Sequence, residues 1–383
     1  QTKEIKIFDE VIPIGTDLLF NLSESPKITL GIEICEDLWM PLPPSSFQAL
    51  SGANIILNLS ASNELVGKAN YRRDLVTQQS AKAICGYVYA SCGVHESTTD
   101  VVFSGHAIIS ENGTIIKETS RFNRESELIY GDIDISHLNL DRQKSTSFGE
   151  GGKDFPKQFR NIGLQNIPLP QTYSLEKEIP KHPFVPENLS KRSEVCKEIF
   201  NIQSSGLAKR LEHAQIKKIV LGLSGGLDST LALLVAIKAF SDLGLQTSDI
   251  HAYSLPGFGT SKRTKNNAEK LAKVLGCSFN EINIEQGCSE HLTLLEHNGG
   301  EDITYENTQA RYRTMFLMNK ANQIGAIVLG TGDLSEIALG WCTFTGDQIS
   351  HYHVNSGVPK TLVKYLIEWV SKQKEFDLLP EDE

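Results

Sequence analysis

Apolar residues follow two different rhythms along this chain. Before about residue 145, short apolar runs stand between polar stretches, at 28–34, 53–59 and 87–92. Runs of that length bounded by turn residues predict buried strands. Residues 101–110, the turn Glu111-Asn112-Gly113-Thr114 and Ile115-Ile116 predict a hairpin, since Asn-Gly accepts the positive φ that such a turn needs. Between Tyr71 and Cys85 a helical pattern carries Leu75, Val76 and Ala83 among polar residues.

From about residue 188 strands and helices alternate. Ser190 is the expected cap of a helix running to about 214. Strands are predicted at 218–223, 250–255, 279–284 and 326–330. Helices are predicted at 229–240, at 262–275 with Gly276 as its stop, and at 308–323 with Gly325 as its stop. Pro359 fits the first turn of a last helix that runs through Trp369. Such alternation predicts a doubly wound parallel sheet, whose ligands bind beyond the carboxyl ends of its strands. Residues 146–187 hold six of the chain's 14 prolines and are the expected linker, draped over one domain. The reading is thus a first domain over 1–145, a linker over 146–187 and a second domain over 188–383.

Composition narrows the class. A chain of 383 residues, 40% apolar and 22% charged, fits two globular domains. A net charge of −10 argues against nucleic-acid binding. No run of about 18 apolar residues suggests a membrane span, and the first residues do not resemble a signal peptide. The seven cysteines form no Cys-x-x-Cys pair. A cytosolic protein is expected, with no membrane or nucleic-acid partner.

The chemistry concentrates at Ser224-Gly225-Gly226-Leu227-Asp228-Ser229, between a predicted strand and an apolar helix. A strand end, a small-residue turn and a helix N-terminus aim free N–H groups and a positive dipole end at one place, where anions bind. The adjacent glycines let the backbone close on an oxygen-rich ligand. Asp228 would repel phosphate, but it suits a magnesium ion beside a polyphosphate. The loop is neither a Walker A loop nor a dinucleotide fingerprint. An ordinary strand–helix turn capped by Ser224 is the plain alternative.

Ser-Gly-Gly-x-Asp-Ser after a strand resembles the pyrophosphatase loop of enzymes that cut ATP between its α and β phosphates. Four further stretches are similar to the glutamine-dependent NAD synthetases: Glu306-Asn307-Thr308-Gln309-Ala310-Arg311, then 330–336, 338–347 and 355–361. The resemblance spans 188–372 and implies an adenine nucleotide α-hydrolase-like domain. In it Gly222, Leu223, Ser224, Gly225, Gly226, Leu227, Asp228, Ser229 and Thr331 would contact ATP. Asn307, Glu336, Trp341, Cys342, Thr343 and Phe344 would contact deamido-NAD. Lys360 would face phosphate, Asp228 and Glu336 would share Mg2+, and residues 254–261 would be a mobile loop closing on ATP. For Cys342 a packing role stays open, for Trp341 a place in the core, and His351 and His353 receive no role. The implied reaction adenylates the nicotinate carboxylate, which ammonia will not attack directly, and ammonia then displaces AMP.

In the first half, Gly31-Ile32-Glu33-Ile34-Cys35-Glu36-Asp37-Leu38-Trp39 sets a cysteine at a tight turn after a buried strand. A thiolate there can attack an amide carbonyl. The stretch resembles the nucleophile strand of the nitrilase superfamily, as fused to NAD synthetases. That resemblance implies an αββα sandwich, with Cys35 releasing ammonia from glutamine and with Ser62 and Lys68 holding the glutamine. Supporting stretches are 58–64, 71–73, 96–100 and 103–106, while Cys85 and Cys92 read as packing residues. The family's catalytic glutamate and lysine come well before its cysteine. They are therefore expected upstream of residue 1, with residues 1–145 the C-terminal part of that domain, and further substrate contacts are expected after the last helix. Glutamine, ATP and deamido-NAD are the expected partners, in a homo-oligomer. The rival readings are an ammonia-dependent ligase with a scaffold first half, another amidotransferase with the same loop, and a nucleotide-binding regulator. The last would not need both Asp228 and Glu336.

Overall fold

The computed structural model describes residues 3–24, 27–96, 100–153, 159–164, 174–258 and 262–373. Two units emerge, Gln1–Ile179 and Pro180–Glu383. Among the described residues, no helix is long and apolar enough to cross a membrane.

The first unit begins with a hairpin of β1 (Glu4–Ile7) and β2 (Glu10–Pro13). Its seven-stranded sheet holds β3 (Leu18–Glu24), β4 (Lys27–Ile34), β5 (Ile55–Ser60), β6 (Gly86–Ser91), β7 (Ile108–Glu111), β8 (Thr114–Glu118) and β9 (Arg160–Gly163), in the order β8-β7-β6-β5-β4-β3-β9. The central strands β4, β5 and β6 are parallel. Helices α1 (Pro44–Leu50) and α2 (Lys68–Lys82) connect them, and α3 (Ile135–Lys144) and α4 (Thr146–Gly151) follow the hairpin. On α2 the buried residues Ala69, Arg72, Val76 and Gln79 recur at helical spacing. Val76 packs with Ile56, Tyr87 and Ile108 of the sheet. Ile32, Ile34 and Leu59, which alternate with buried strand positions, are exposed. Of the expected αββα sandwich, the described residues form one sheet and its helices.

In the second unit α5 (Leu189–Ala214) precedes β10 (Ile219–Gly222), α6 (Leu227–Asp242), β11 (Ile250–Ser254), α7 (Lys262–Val274), β12 (Ser278–Glu281), α8 (Glu285–Leu294) and α9 (Ile303–Ile324). There follow β13 (Ile327–Gly330), α10 (Leu334–Leu339), β14 (Tyr352–His353) and α11 (Lys360–Val370). All five strands are parallel, in the order β12-β11-β10-β13-β14. Strands that follow one another in sequence part company at β10 and β13, the switch point where such sheets open a crevice. Helix α6 is apolar almost all round because it is buried with α5, α7 and α11. A second cluster packs Cys288 of α8 and Ala321 of α9 against Val220 and Val328 of the sheet.

Several expectations need correction. Of the predicted strand 101–110 only residues 108–110 lie in β7, because Gly105 turns at φ +70. Asn188, not Ser190, caps α5 by accepting from the Lys191 amide at 3.1 Å. Helix α9 starts at Ile303, since Asp302 accepts from the Thr304 and Tyr305 amides. Pro359 is the cap of α11 and lies just outside it. The chain leaves β12 at Glu281, ahead of the expected end at 284. In the proline-rich stretch, β9 pairs with β3, and the Glu176 and Lys177 amides donate to Asp132. Pro156, Pro168 and Pro170, and residues 259–261 of the expected mobile loop, lie outside the described residues.

Where β13 meets β14, a Cβ on Gly330 would stand 2.3 Å from both His353 Nδ1 and Ser350 Oγ. Gly330→Ala should therefore push the His353 and Ser350 side chains out of place. A loss of about 1–3 kcal/mol in denaturant unfolding is expected, and an unchanged midpoint would contradict this packing.

Candidate active sites

Each unit carries one candidate site. In the second, the turn after β10 closes through Gly225 at φ +79, a conformation that favours glycine. Ser224 Oγ accepts from the Gly226 amide at 3.2 Å and lies 3.1 Å from Ser229 Oγ. The plain alternative for the loop is thus partly met, since Ser224 does brace it, although Gly226 is the residue in the cap position. Asp228 falls in the first turn of α6, beside the loop that follows β13.

That second loop supplies two more carboxylates. Asp333 caps α10 by accepting from the Glu336 amide at 2.8 Å, and Glu336 accepts from the Asp333 amide at 3.3 Å, a capping box. Carboxylate oxygens of Asp228, Asp333 and Glu336 all lie within 4.8 Å of one another. Lys360 Nζ sits among them, 2.7 Å from Asp228, 3.0 Å from Glu336 and 3.2 Å from Asp333. Burial works against the ammonium, but bonds from the three carboxylates outweigh it and hold its pKa well above the lysine range. Asn355 is fully buried and fastens both loops, donating to the carbonyls of Asp228 at 3.0 Å and Thr331 at 3.1 Å. Gln203 orients it from α5.

Two cavities meet here and share Ser224, Thr331 and Asp347 in their walls. One, of about 220 Å³, reaches Asp228, Glu336 and Cys342. The other, of about 480 Å³, runs over Gly222, Leu255 and Arg313 at the carboxyl ends of β10 and β11. Asn307 and Thr343 are brought together, the Thr343 hydroxyl donating to Asn307 at 2.8 Å. Trp341 and Phe344 are exposed, so Trp341 is not a core residue. Sequence reasoning missed Asp333, although Asp-x-x-Glu at a helix start was there to be read as a capping box. It also missed Asn355 and Arg313, whose parts depend on distant contacts.

In the first unit Cys35 follows β4 and opens a helical turn at φ +50, a strained left-handed conformation for a cysteine. Its amide donates to Asn58 Oδ1 at 3.2 Å, Asn58 in turn donates to the Tyr87 hydroxyl at 3.1 Å, and Tyr87 donates to the buried Glu33. Lys68 Nζ donates to Asn63 at 2.8 Å and lies 5.2 Å from the centre of the Trp39 ring. Burial and then Arg72 lower its pKa, against the opposing pull of Glu64 and Cys35. Ser62 is buried on the same loop. Cys85 is a packing residue whose thiol burial pushes up to about 12.

A buried chain of charge braces this loop against α2. Glu64 accepts from Ser104 at 2.6 Å and from the fully buried Arg72 at 2.8 Å. Arg72 also donates to His106 Nδ1, and His106 Nε2 donates to Glu118, which Arg73 grips through two oxygens. Of the supporting stretch 96–100, residues 97–99 lie outside the described residues.

Two family models match the chain. Residues 199–380 match the NAD synthase model and residues 2–143 the carbon–nitrogen hydrolase model. The chain therefore joins a member of the carbon–nitrogen hydrolase family to a member of the NAD synthase family. Three curated relatives are named glutamine-dependent NAD(+) synthetase. That of Mycobacterium tuberculosis is 44% identical over 381 residues, covering 97% of this chain and 56% of the relative. That of Mycobacterium leprae is 43% identical, with 97% and 56% covered, and that of Thermotoga maritima 31% identical, with 98% and 62% covered. The chain spans little more than half the length of these relatives.

Burial lowers the pKa of His106 below 6.5, with the Glu118 bond opposing and Arg72 adding to the depression. The unfolded state then binds the proton more readily than the folded state. Stability from this group is intact above about pH 6.5 and falls as the pH drops below it. Replacing His106 with Gln should flatten the pH dependence of unfolding below about pH 6.5. An unaltered slope would contradict the depressed value.

Proposed function

We propose that the protein is a glutamine-dependent NAD synthetase, a ligase that forms an amide at the expense of ATP. The observation that carries this reading is the convergence of the 224–229 loop with Asp228, Glu336 and Lys360 at the ends of β10 and β13. A polyphosphate binder needs little beyond the loop. Paired carboxylates beside it suit a nucleotide whose phosphates are cut.

Magnesium fits the residues present, since Asp228 Oδ1 is buried with no hydrogen-bond partner and hard divalent cations take carboxylate oxygens. Asp228 and Glu336 would hold it. When bound it would offset the charge of the phosphates.

The larger cavity, with its part-apolar wall, suits adenosine. Gly222, Leu223, Gly225, Gly226, Leu227, Ser229 and Thr331 then contact ATP, and the loop amides receive the departing pyrophosphate. The smaller cavity takes the nicotinate end of deamido-NAD, with Cys342 at its wall, Thr343 next along the chain and hydrogen-bonded to Asn307, and the exposed Trp341 and Phe344 for the ring to cover. A carboxylate oxygen attacks the α phosphorus and pyrophosphate leaves, with Lys360 facing the phosphates. Ammonia attacks the acyl carbon, loses a proton, and AMP departs with the original carboxylate oxygen. In the first unit the Cys35 thiolate attacks the amide carbon of glutamine, held by Ser62 and Lys68. Ammonia leaves, and water cleaves the thioester to glutamate.

Cys35→Ala should abolish NAD formation from glutamine and leave formation from concentrated ammonium intact. Its cost in stability should be about 1 kcal/mol. A folded variant that still used glutamine would return Cys35 to a structural role. Asp228→Asn should end AMP formation with either nitrogen source, and unchanged pyrophosphate release would remove the adenylation reading.

A further inference from the structure

We propose that the ammonium of Lys360 is a stand-in cation. It fills the carboxylate cluster when no nucleotide is bound and gives way to a divalent cation, most readily when that cation arrives with its phosphates. The proposal rests on the reading of this site as one for ATP and a divalent cation.

The contacts describe an ammonium site. Three carboxylate oxygens lie 2.7–3.2 Å from Lys360 Nζ, whereas magnesium draws its oxygens to about 2.0–2.1 Å. The ammonium offsets one of the three carboxylate charges, and a divalent ion in its place would offset two. Asp333 is fully buried, and its Oδ2 has no hydrogen bond, only the ion pair to Lys360. Removing the ammonium without replacement would leave buried carboxylates unpaired, a severe cost. The lysine is therefore exchanged for a cation and does not simply depart.

It is also built to swing. Lys360 opens α11, and its own amide is fixed by Ser335 Oγ at 3.1 Å. Its side chain is half exposed and ends a flexible four-carbon stem. A bare metal ion must displace an ammonium that has no other anionic partner among the described residues. A metal ion that comes with ATP brings phosphate oxygens, to which the displaced ammonium can turn. Metal and nucleotide thus favour one another through Lys360, a coupling free energy between two ligands.

The test is Mn2+ binding to the nucleotide-free protein, followed by the electron paramagnetic resonance of free Mn2+. Lys360→Met should bind Mn2+ about tenfold more tightly than the wild type, within the usual span of such couplings. Adding Asp228→Asn should cancel the gain. Equal or weaker binding by folded Lys360→Met overturns the proposal. A second measurement needs no variant: the rate of Lys360 acetylation, read by mass spectrometry. Saturating Mn2+ without nucleotide should raise that rate severalfold, and an unchanged rate overturns the proposal. Should the wild type bind no Mn2+ even with an uncleavable ATP analogue, the reading of the site fails as well. If it binds the pair but the variant and the acetylation rate show no exchange, the stand-in role alone fails.

Discussion

Three carboxylates are held together at the ends of β10 and β13, and like charges so close, one of them fully buried, must be neutralised. The second unit is arranged around that constraint. Two of the three belong to the capping box that starts α10, so the helix cannot form without presenting them. Asn355 ties the carbonyls of Asp228 and Thr331 into one body, and α11 begins at the lysine that balances the charge. A pile of negative charge beside a phosphate loop is unfavourable until a cation joins it. This is a sound basis for a site that takes its nucleotide and its cation together.

The first unit answers a different demand. As the proposed nucleophile, Cys35 must stand clear of its strand, and the left-handed turn there achieves this at a cost in backbone strain. Asn58, Tyr87 and Glu33 hold that turn from within the sheet. The loop that bears Ser62 and leads into α2 at Lys68 is braced by the pairing of its Glu64 with Arg72 of α2. Strain of this kind persists only where the surroundings over-determine it.

Much of this was legible in the sequence, for identifiable reasons. The parallel strands β4, β5 and β6 are buried apolar runs, and the Asn112-Gly113 turn sits where positive φ is required. The phosphate loop and Cys35 are contiguous motifs, so one stretch of chain reveals each. Helix α8 escaped because only Cys288 and Leu292 are buried on it, too faint a pattern. The start of α9 was misjudged because Asp302 caps a turn with no apolar face. The joint role of Asp228, Asp333, Glu336 and Lys360 depends on contacts across more than 130 positions, which no local pattern carries. Lys360 was read as a phosphate contact, yet in the free site it belongs to the carboxylates.

The central claim, that a substrate carboxylate is adenylated at the 224–229 loop, has a direct chemical signature. Deamido-NAD labelled with oxygen-18 in its nicotinate carboxylate would be converted with ATP and ammonium, and the products weighed by mass spectrometry. One labelled oxygen in AMP, and none in pyrophosphate, is the expected result. Unlabelled AMP, or label in inorganic phosphate or pyrophosphate, would mean that the carboxylate never attacked the α phosphorus and would contradict the account.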